Sequence, residues 1–224
     1  MRNHTLLGRV RDLAIAAAFI CTLAMMAAVV SAQPLRELAA RHGILYGAAV
    51  GAAFWTTDTA YRDLLARECS VIVAENEMKF NLIEPERGRF NWSRADDLVA
   101  FAVKNGMKIR GHNLVWHAQS DWASKLNAGR DEMIEVMRSH ILAVAGRYKG
   151  RILEWDVVNE AIDDGDGFFR DTFWRKAIGD DYIDLAFRFA HEADHGALLF
   201  YNDYGGEDMG AKSDKIYNLV SDML

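Results

Sequence analysis

The chain has 224 residues, of which 51% are apolar and 26% charged, a balance typical of a globular protein rather than a disordered or fibrous one. Its net charge of -6 argues against the basic face that phosphate neutralisation requires, so we expect no nucleic-acid partner. The sequence has no phosphate-binding loop and no dinucleotide fingerprint, so we expect no cofactor either.

The N-terminal segment has the pattern of an export signal. Arginines precede an apolar run over residues 13–30, and small residues up to Ala32 offer a cleavage site. We interpret residues 1–32 as a signal peptide and expect a secreted or periplasmic mature protein that is monomeric and leaves the membrane after cleavage. The alternative is an uncleaved anchor, because about 18 apolar residues are just enough to span a bilayer.

Strand and helix patterns alternate along residues 33–224, which we interpret as one domain. Ser93 is predicted to cap the helix that follows it. The alternation is typical of an α/β fold with a parallel sheet. We predict strands over residues 44–54, 70–74, 107–111, 151–158 and 197–201, and helices over residues 35–42, 59–67, 94–104, 131–148, 182–195 and 211–224.

Polar side chains cluster directly after four of the predicted strands. In parallel α/β folds the carboxyl ends of the strands form the face that binds ligands, so we expect these side chains to share one site. They are Glu75, Asn76 and Lys79 after the second strand, His112, Trp116 and Gln119 after the third, Asn159 and Glu160 after the fourth, and Asn202, Asp203 and Tyr204 after the fifth.

This mixture of groups suits a neutral polyhydroxyl ligand. Amides, carboxylates and imidazoles exchange hydrogen bonds with hydroxyls, and indole rings stack on the apolar faces of sugars. Glu160, at a strand end, could donate a proton to a glycosidic oxygen, or it could form a structural ion pair. His112 and His117 have no cysteine or paired carboxylate beside them, so we predict no metal site.

Four motifs follow one another along the chain, namely ENEMK at 75–79, GHNLVWHAQ at 111–119, WDVVNEA at 155–161 and YNDY at 201–204. Together they resemble the motifs of the glycoside hydrolase family 10 endo-β-1,4-xylanases. The likeness extends from about residue 44 to the C-terminus, and the order of the motifs makes it specific. It implies a (β/α)8 barrel, or TIM barrel, that hydrolyses xylan with retention of configuration.

The resemblance implies a role for each polar residue. Glu160 matches the general acid/base, and Asn159 matches the amide that binds the sugar 2-hydroxyl. Asp156 is expected to be a buried hydrogen-bonding group, and Trp155 a core residue. Contacts to the sugar on the non-reducing side match Glu75, Asn76 and Lys79, the wall around that sugar matches His112, Trp116 and Gln119, and the aglycone side matches Asn202 and Tyr204.

The second carboxylate of the family is missing from the sequence. A retaining glycosidase needs a nucleophile about 5–5.5 Å from the acid/base, and in the family it follows the seventh strand in a Thr-Glu or Ser-Glu motif. No such motif follows Glu160. Residues 33–224 are also fewer than the roughly 250 residues of a full barrel.

We therefore interpret the chain as about the first five strand-helix units of a xylanase barrel, inactive by itself. The first and fifth strands are expected to have exposed edges. Two alternatives remain open from the sequence. One is a non-catalytic xylo-oligosaccharide-binding protein or decayed fragment, and the other is a β-1,4-glucanase of similar fold.

Overall fold

In the computed structural model, which describes residues 33–51, 55 and 57–224, five strands alternate with helices. The predicted export segment, residues 1–32, lies outside the described residues, so its interpretation stays a prediction. The strands are β1 (Gly47–Val50), β2 (Val71–Ala74), β3 (Lys108–Val115), β4 (Glu154–Asn159) and β5 (Leu198–Asn202). The helices are α1 (Leu35–Ala40), α2 (Thr59–Glu68), α3 (Phe80–Ile83), α4 (Ser93–Lys104), α5 (Asp121–Ser124), α6 (Arg130–Arg147), α7 (Phe173–Ile178), α8 (Tyr182–Ala193) and α9 (Ala211–Met223).

The five strands form one sheet in chain order, and every neighbouring pair is parallel. Parallel neighbours need a crossover, and at least one helix lies between each pair of strands. The register places His112 beside Asp156 and Asn159 beside Asn202. All five carboxyl ends therefore meet along one edge, as the sequence predicted.

The core lies on both sides of the central strands. Five of the six residues of β4 are buried, which is typical of a parallel strand covered on both faces. Trp155 is 1% exposed, as predicted for a core residue. Its ring packs against Gly111 of β3, where an added Cβ would lie 2.1 Å from Cε3 of the indole. Glycine is thus required at residue 111 by the neighbouring strand.

Several predicted bounds differ from the structure. β1 is shorter than the predicted 44–54, and β3 continues past residue 111 to Val115, which pairs with Val158 after a shift in register. Ser93 is the first residue of α4 rather than its cap, and Trp92 takes the cap position without a side-chain hydrogen bond. The short helices α3, α5 and α7 were not predicted, because so few turns leave little periodic signal.

The two outer strands of the described sheet have open edges. β1 pairs with β2 and β5 with β4, and no other described strand adjoins either of them. Apolar side chains near these strands are partly exposed, with Ile44 at 60% and Leu198 at 59%. Among the described helices, none is long and apolar enough to cross a membrane.

A buried carboxylate–imidazole pair fastens the segment after β2 to helix α6. Glu84 is 4% exposed, and its Oε2 lies 2.7 Å from Nδ1 of His140. The other carboxylate oxygen accepts the N–H of Gly88, at 2.8 Å. The Glu84 carbonyl accepts bonds from the Ser120 hydroxyl and the Trp122 indole. Glu84 therefore connects the segment after β2 both to α6 and to the start of α5, a role that no local sequence pattern indicated.

The protonation of His140 should make stability depend on pH. Burial lowers the pKa of His140, although Glu84 beside it opposes that shift. Below about pH 6.5 the unfolded chain takes up a proton that the folded chain does not. The free energy of unfolding should then decrease as the pH falls, and His140 alone should contribute a slope approaching about 1.4 kcal/mol per pH unit, the limit for one proton.

Urea unfolding between about pH 5 and pH 8 tests this expectation. His140→Asn keeps an N–H donor near the position of Nδ1 for Glu84 but cannot titrate, so its stability should change less steeply with pH. A wild-type slope in His140→Asn would show that His140 is not the titrating group.

Candidate active site

Glu160 lies directly after β4 in a backbone conformation that glutamate rarely adopts. Its φ is +55°, in the left-handed region, which costs roughly 1–2 kcal/mol for a residue with a side chain. Its N–H donates to the carbonyl of Asn202 at 2.8 Å, which ties the end of β4 to the end of β5. The side chain is 22% exposed, so the carboxylate is partly shielded but still reaches solvent.

Side chains from the ends of β2 and β3 approach this carboxylate. The indole Nε1 of Trp116 donates to Oε2 of Glu160 at 3.0 Å. Nζ of Lys79 lies 4.6 Å from the centre of the Trp116 ring and donates to Oδ1 of Asn76 at 2.9 Å. Glu75 is exposed beside Gly51. The structure thus brings Asn76, Lys79, Trp116 and Glu160 into one connected cluster.

His112 is held by a buried carboxylate beneath the site. Its Nδ1 lies 2.9 Å from Oδ2 of Asp156, whose side chain is 4% exposed. Oδ1 of Asp156 accepts two bonds from the Arg110 guanidinium, at 2.9 Å from Nε and 2.5 Å from Nη2. The prediction that Asp156 is a buried hydrogen-bonding group is confirmed. Because Nδ1 faces this carboxylate, it is the protonated nitrogen of a neutral His112, and Nε2 is then an acceptor.

His117 lies near Glu160 without pairing with it as an ion. Burial lowers the pKa of His117, the charge of Glu160 raises it, and the nearby Arg170 and Lys79 lower it again. A neutral imidazole at pH 7 fits the 3.7 Å separation between its Nδ1 and Oε2 of Glu160, which is too long for a hydrogen bond. Among the described residues, the buried atoms His117 Nδ1, Gln119 Oε1 and Arg170 Nε have no hydrogen-bond partner.

The end of β5 contributes a second cluster of polar groups. Asn202 donates from Nδ2 to Oδ1 of Asn159, at 2.7 Å, and Asn159 is 3% exposed. Tyr204 is 50% exposed, and its hydroxyl accepts from Arg170 and donates to Asp164. Nζ of Lys212 lies 3.6 Å from the centre of the Tyr204 ring. In the strand order, the predicted β5 residues therefore lie on one side of Glu160, which follows β4, and Trp116, which follows β3, lies on the other.

Sequence reasoning assigned no role to several residues that support this site. Arg110 precedes His112 by two positions, and side chains two apart on a strand lie on the same face of the sheet. This spacing could have predicted that Arg110 lies beside His112. Tyr201 likewise precedes Asp203 by two positions within the YNDY motif, whereas Arg170 and Lys212 carry no such local signal. In the described ranges, no group of three or more His, Cys, Asp or Glu side chains is placed to hold a metal ion.

Comparison with known proteins identifies the family. The model of "Glycosyl hydrolase family 10" matches residues 34–224. The chain belongs to this family. The prediction from the four motifs is thereby confirmed, and so is the fold, because the parallel sheet and helices of this family 10 chain correspond to part of the (β/α)8 barrel.

Curated relatives and solved structures agree on this assignment. Endo-1,4-beta-xylanase B of Thermotoga neapolitana is 39% identical over 193 residues, which cover 85% of this chain and 56% of the relative. Endo-1,4-beta-xylanase B of Paenibacillus barcinonensis is 45% identical over 184 residues, covering 80% and 54%. The crystal structure of native xylanase 10B from Thermotoga maritima superposes with a TM-score of 0.81 at 41% identity, covering 85% of this chain and 59% of that one. This family 10 chain therefore spans a little over half the length of each of these three proteins.

Proposed function

We propose that the protein carrying this family 10 chain hydrolyses internal β-1,4-xylosidic bonds of xylan with retention of configuration, and that Glu160 is its general acid/base. The observation that supports this most directly is the position of Glu160. Glu160 lies directly after β4 and follows the buried Asn159. Its partly shielded carboxylate accepts a hydrogen bond from the Trp116 indole. The xylanase relatives share the family and about two-fifths of the aligned residues, which supports xylan as the substrate class.

In this mechanism Glu160 acts twice. As the acid it donates a proton to the oxygen of the departing sugar, while a second carboxylate attacks the anomeric carbon and forms a glycosyl–enzyme intermediate. As the base it then removes a proton from the water that hydrolyses the intermediate. Trp116 binds Oε2, so Oε1 is the oxygen we assign to proton transfer.

The remaining polar groups would bind the sugar hydroxyls. A buried polar atom without a partner is costly, and a hydroxyl in hydrogen-bonding position removes that cost. His117 Nδ1 and Arg170 Nε are such atoms in side chains close enough to Glu160 to feel its charge, and Gln119 Oε1 is another, two positions after His117 in the chain. Lys79 and Asn76 would bind the sugar on the non-reducing side of the bond, while Tyr204 would border the aglycone.

We further propose that the nucleophile comes from the part of the family barrel that the matched region does not include. The chain alone should then bind xylo-oligosaccharide weakly and should not cleave xylan. The open edges of β1 and β5 support this proposal, because further strands of a barrel would pair with both of them. The export interpretation of residues 1–32 would deliver such an enzyme to extracellular polysaccharide.

A chimera tests the proposed function. Residues 33–224 would be joined to the C-terminal remainder of the Thermotoga maritima xylanase 10B barrel, and the chain and the chimera would be assayed on xylan and on cellulose. We expect reducing-sugar release from xylan by the chimera alone, with the β-anomer of the product formed first in an NMR time course. As a matched control, the same chimera with Glu160→Ala should remain folded and inactive.

Each other outcome would favour a different function. Cellulose cleavage without xylan cleavage would identify a β-1,4-glucanase. Binding of xylo-oligosaccharide by a folded chimera that does not hydrolyse it would favour a sugar-binding protein. Hydrolysis of xylan by the unextended chain would show that the nucleophile lies within it.

A further inference from the structure

The peptide groups around Glu160 are held from one side by strand β5. The N–H of Glu160 donates to the Asn202 carbonyl at 2.8 Å. The next two amides, those of Ala161 and Ile162, both donate to the phenolic oxygen of Tyr201, at 2.9 Å and 3.0 Å. Three consecutive N–H groups at the predicted acid/base are therefore bound by two neighbouring residues of β5.

The Tyr201 hydroxyl is itself fixed by a buried ion pair. It donates to Oδ2 of Asp203, whose side chain is 1% exposed. The other carboxylate oxygen lies 3.0 Å from Nζ of Lys212 in α9, a side chain that is 15% exposed. A phenol oxygen has one proton to donate and two lone pairs, so these bonds use its whole capacity. Burial and the adjacent Asp203 raise the pKa of Tyr201, so the phenol stays protonated at neutral pH.

The arrangement matters because of the conformation that it stabilises. With a φ of +55°, Glu160 would favour ordinary extended backbone if the amides after it were released. Rotation there would turn the Cα–Cβ bond and swing the carboxylate away from Trp116 and from the neighbouring strand end. The described contacts of Tyr201 with the acid/base loop are to the backbone amides of Ala161 and Ile162 and not to the carboxylate.

We infer that Tyr201 is a positioning residue for Glu160. Its hydroxyl, which is oriented by its bond to the Asp203–Lys212 pair, binds the Ala161 and Ile162 amides and thereby sets the direction of the carboxylate for proton transfer. This inference rests on the proposed function for its catalytic consequence. Its structural part stands on the hydrogen bonds alone. Asp203 and Lys212 thereby acquire a function in positioning rather than in sugar binding.

The chain offers a closely matched control tyrosine. Tyr148 is fully buried, and its hydroxyl donates to Asp96 at 3.0 Å. Asp96 is in turn paired with Arg147, so this is a second tyrosine–aspartate–cation chain. It connects α6 with α4 rather than two strand ends at the site. Tyr148→Phe therefore removes the same kind of bond without touching the proposed machinery.

The first test measures structure in the full chain by NMR. In Tyr201→Phe, the Ala161 and Ile162 amides should exchange with solvent at least about fivefold faster, since each loses its hydrogen-bond acceptor. The carboxyl carbon resonance of Glu160 should shift as well. Asp203→Asn retains an acceptor for the phenol and should cause smaller changes at the same three residues. Tyr148→Phe should leave all three signals as in the wild type.

The second test measures catalysis in the chimera that completes the barrel. Tyr201→Phe should lower kcat on xylan by about 10- to 100-fold with little change in KM, as expected for a misplaced catalytic group. For a dinitrophenyl xylobioside, kcat/KM reports the glycosylation step, and this leaving group needs little protonation, so kcat/KM should fall less than about threefold. A merely structural role would reduce kcat/KM on both substrates by the same factor, as any loss in Tyr148→Phe should.

The two tests separate the positioning inference from the proposed function. Unchanged amide exchange and an unchanged Glu160 resonance in a folded Tyr201→Phe would overturn the inference, whatever the chimera does. Equal losses on both substrates would also overturn it. Altered signals together with an inactive wild-type chimera would instead reject the xylanase proposal and leave the backbone contact established.

Discussion

Replacing Glu160 with Gln in the completed barrel should lower kcat on xylan by about 10²- to 10⁴-fold, the usual contribution of a positioned acid or base. The amide keeps the shape of the side chain and can still accept the Trp116 indole bond. It cannot deliver a proton to the departing oxygen. KM should change little, because the walls formed by Asn76, Lys79 and Tyr204 remain.

The leaving group distinguishes acid catalysis from a loss of fold. An aryl xylobioside with an acidic phenol needs no proton to depart, so Glu160→Gln should retain most of the glycosylation rate on that substrate. Glu154 supplies a matched control, because it lies on the same strand at the amino-terminal end. Glu154→Gln should retain wild-type kcat on both substrates. Undiminished xylan turnover in Glu160→Gln would exclude Glu160 as the acid.

Replacing Asp156 with Ala should lower the free energy of unfolding by about 3–5 kcal/mol, the usual cost of breaking a buried ion pair from one side. The carboxylate is 4% exposed and is the shared acceptor for Arg110 and His112. Its removal leaves the guanidinium, whose side chain is 31% exposed, without its 2.5 Å and 2.9 Å bonds. It also releases Nδ1 of His112, so the imidazole is free to turn.

Burial rather than distance should determine this cost. Arg130 and Asp181 also lie 2.5 Å apart, but their side chains are 47% and 50% exposed. Asp181→Ala should therefore cost only about 0–1 kcal/mol, as exposed pairs do. Chemical unfolding of both variants gives the comparison. Equal losses would contradict the argument from burial, and a loss below about 1 kcal/mol at Asp156 would show that Arg110 finds solvent or another partner.

Much of the fold was predictable because its signals are local. Short apolar runs mark β2 and β4, and polar turns separate the elements. Backbone geometry sets the spacing of both signals, so the element order and the sheet type followed from the sequence. The strand-end position of Glu160 followed as well. The elements that were missed, α3, α5 and α7, are too short for a periodic pattern to accumulate.

The supporting contacts were not predictable for a different reason. Glu84 and His140 are separated by 56 positions, Arg110 and Asp156 by 46, and Tyr201 and Ala161 by 40. Nothing in the neighbouring residues of either partner marks such a pair. Each depends on the register between strands or on the way a helix packs against the sheet.

By itself, the sequence determined the class of fold, the family and the set of polar groups that collect at the carboxyl edge of the sheet. Residue type and spacing carry that information, because a parallel sheet brings every strand end to the same edge. The tertiary structure alone decided which group binds which. It placed the Trp116 indole on Glu160, put Asp156 beneath His112, and set the Tyr201 hydroxyl against the amides after Glu160. Those choices depend on ångström-scale register and burial, which set the strength of a hydrogen bond and which no local pattern encodes.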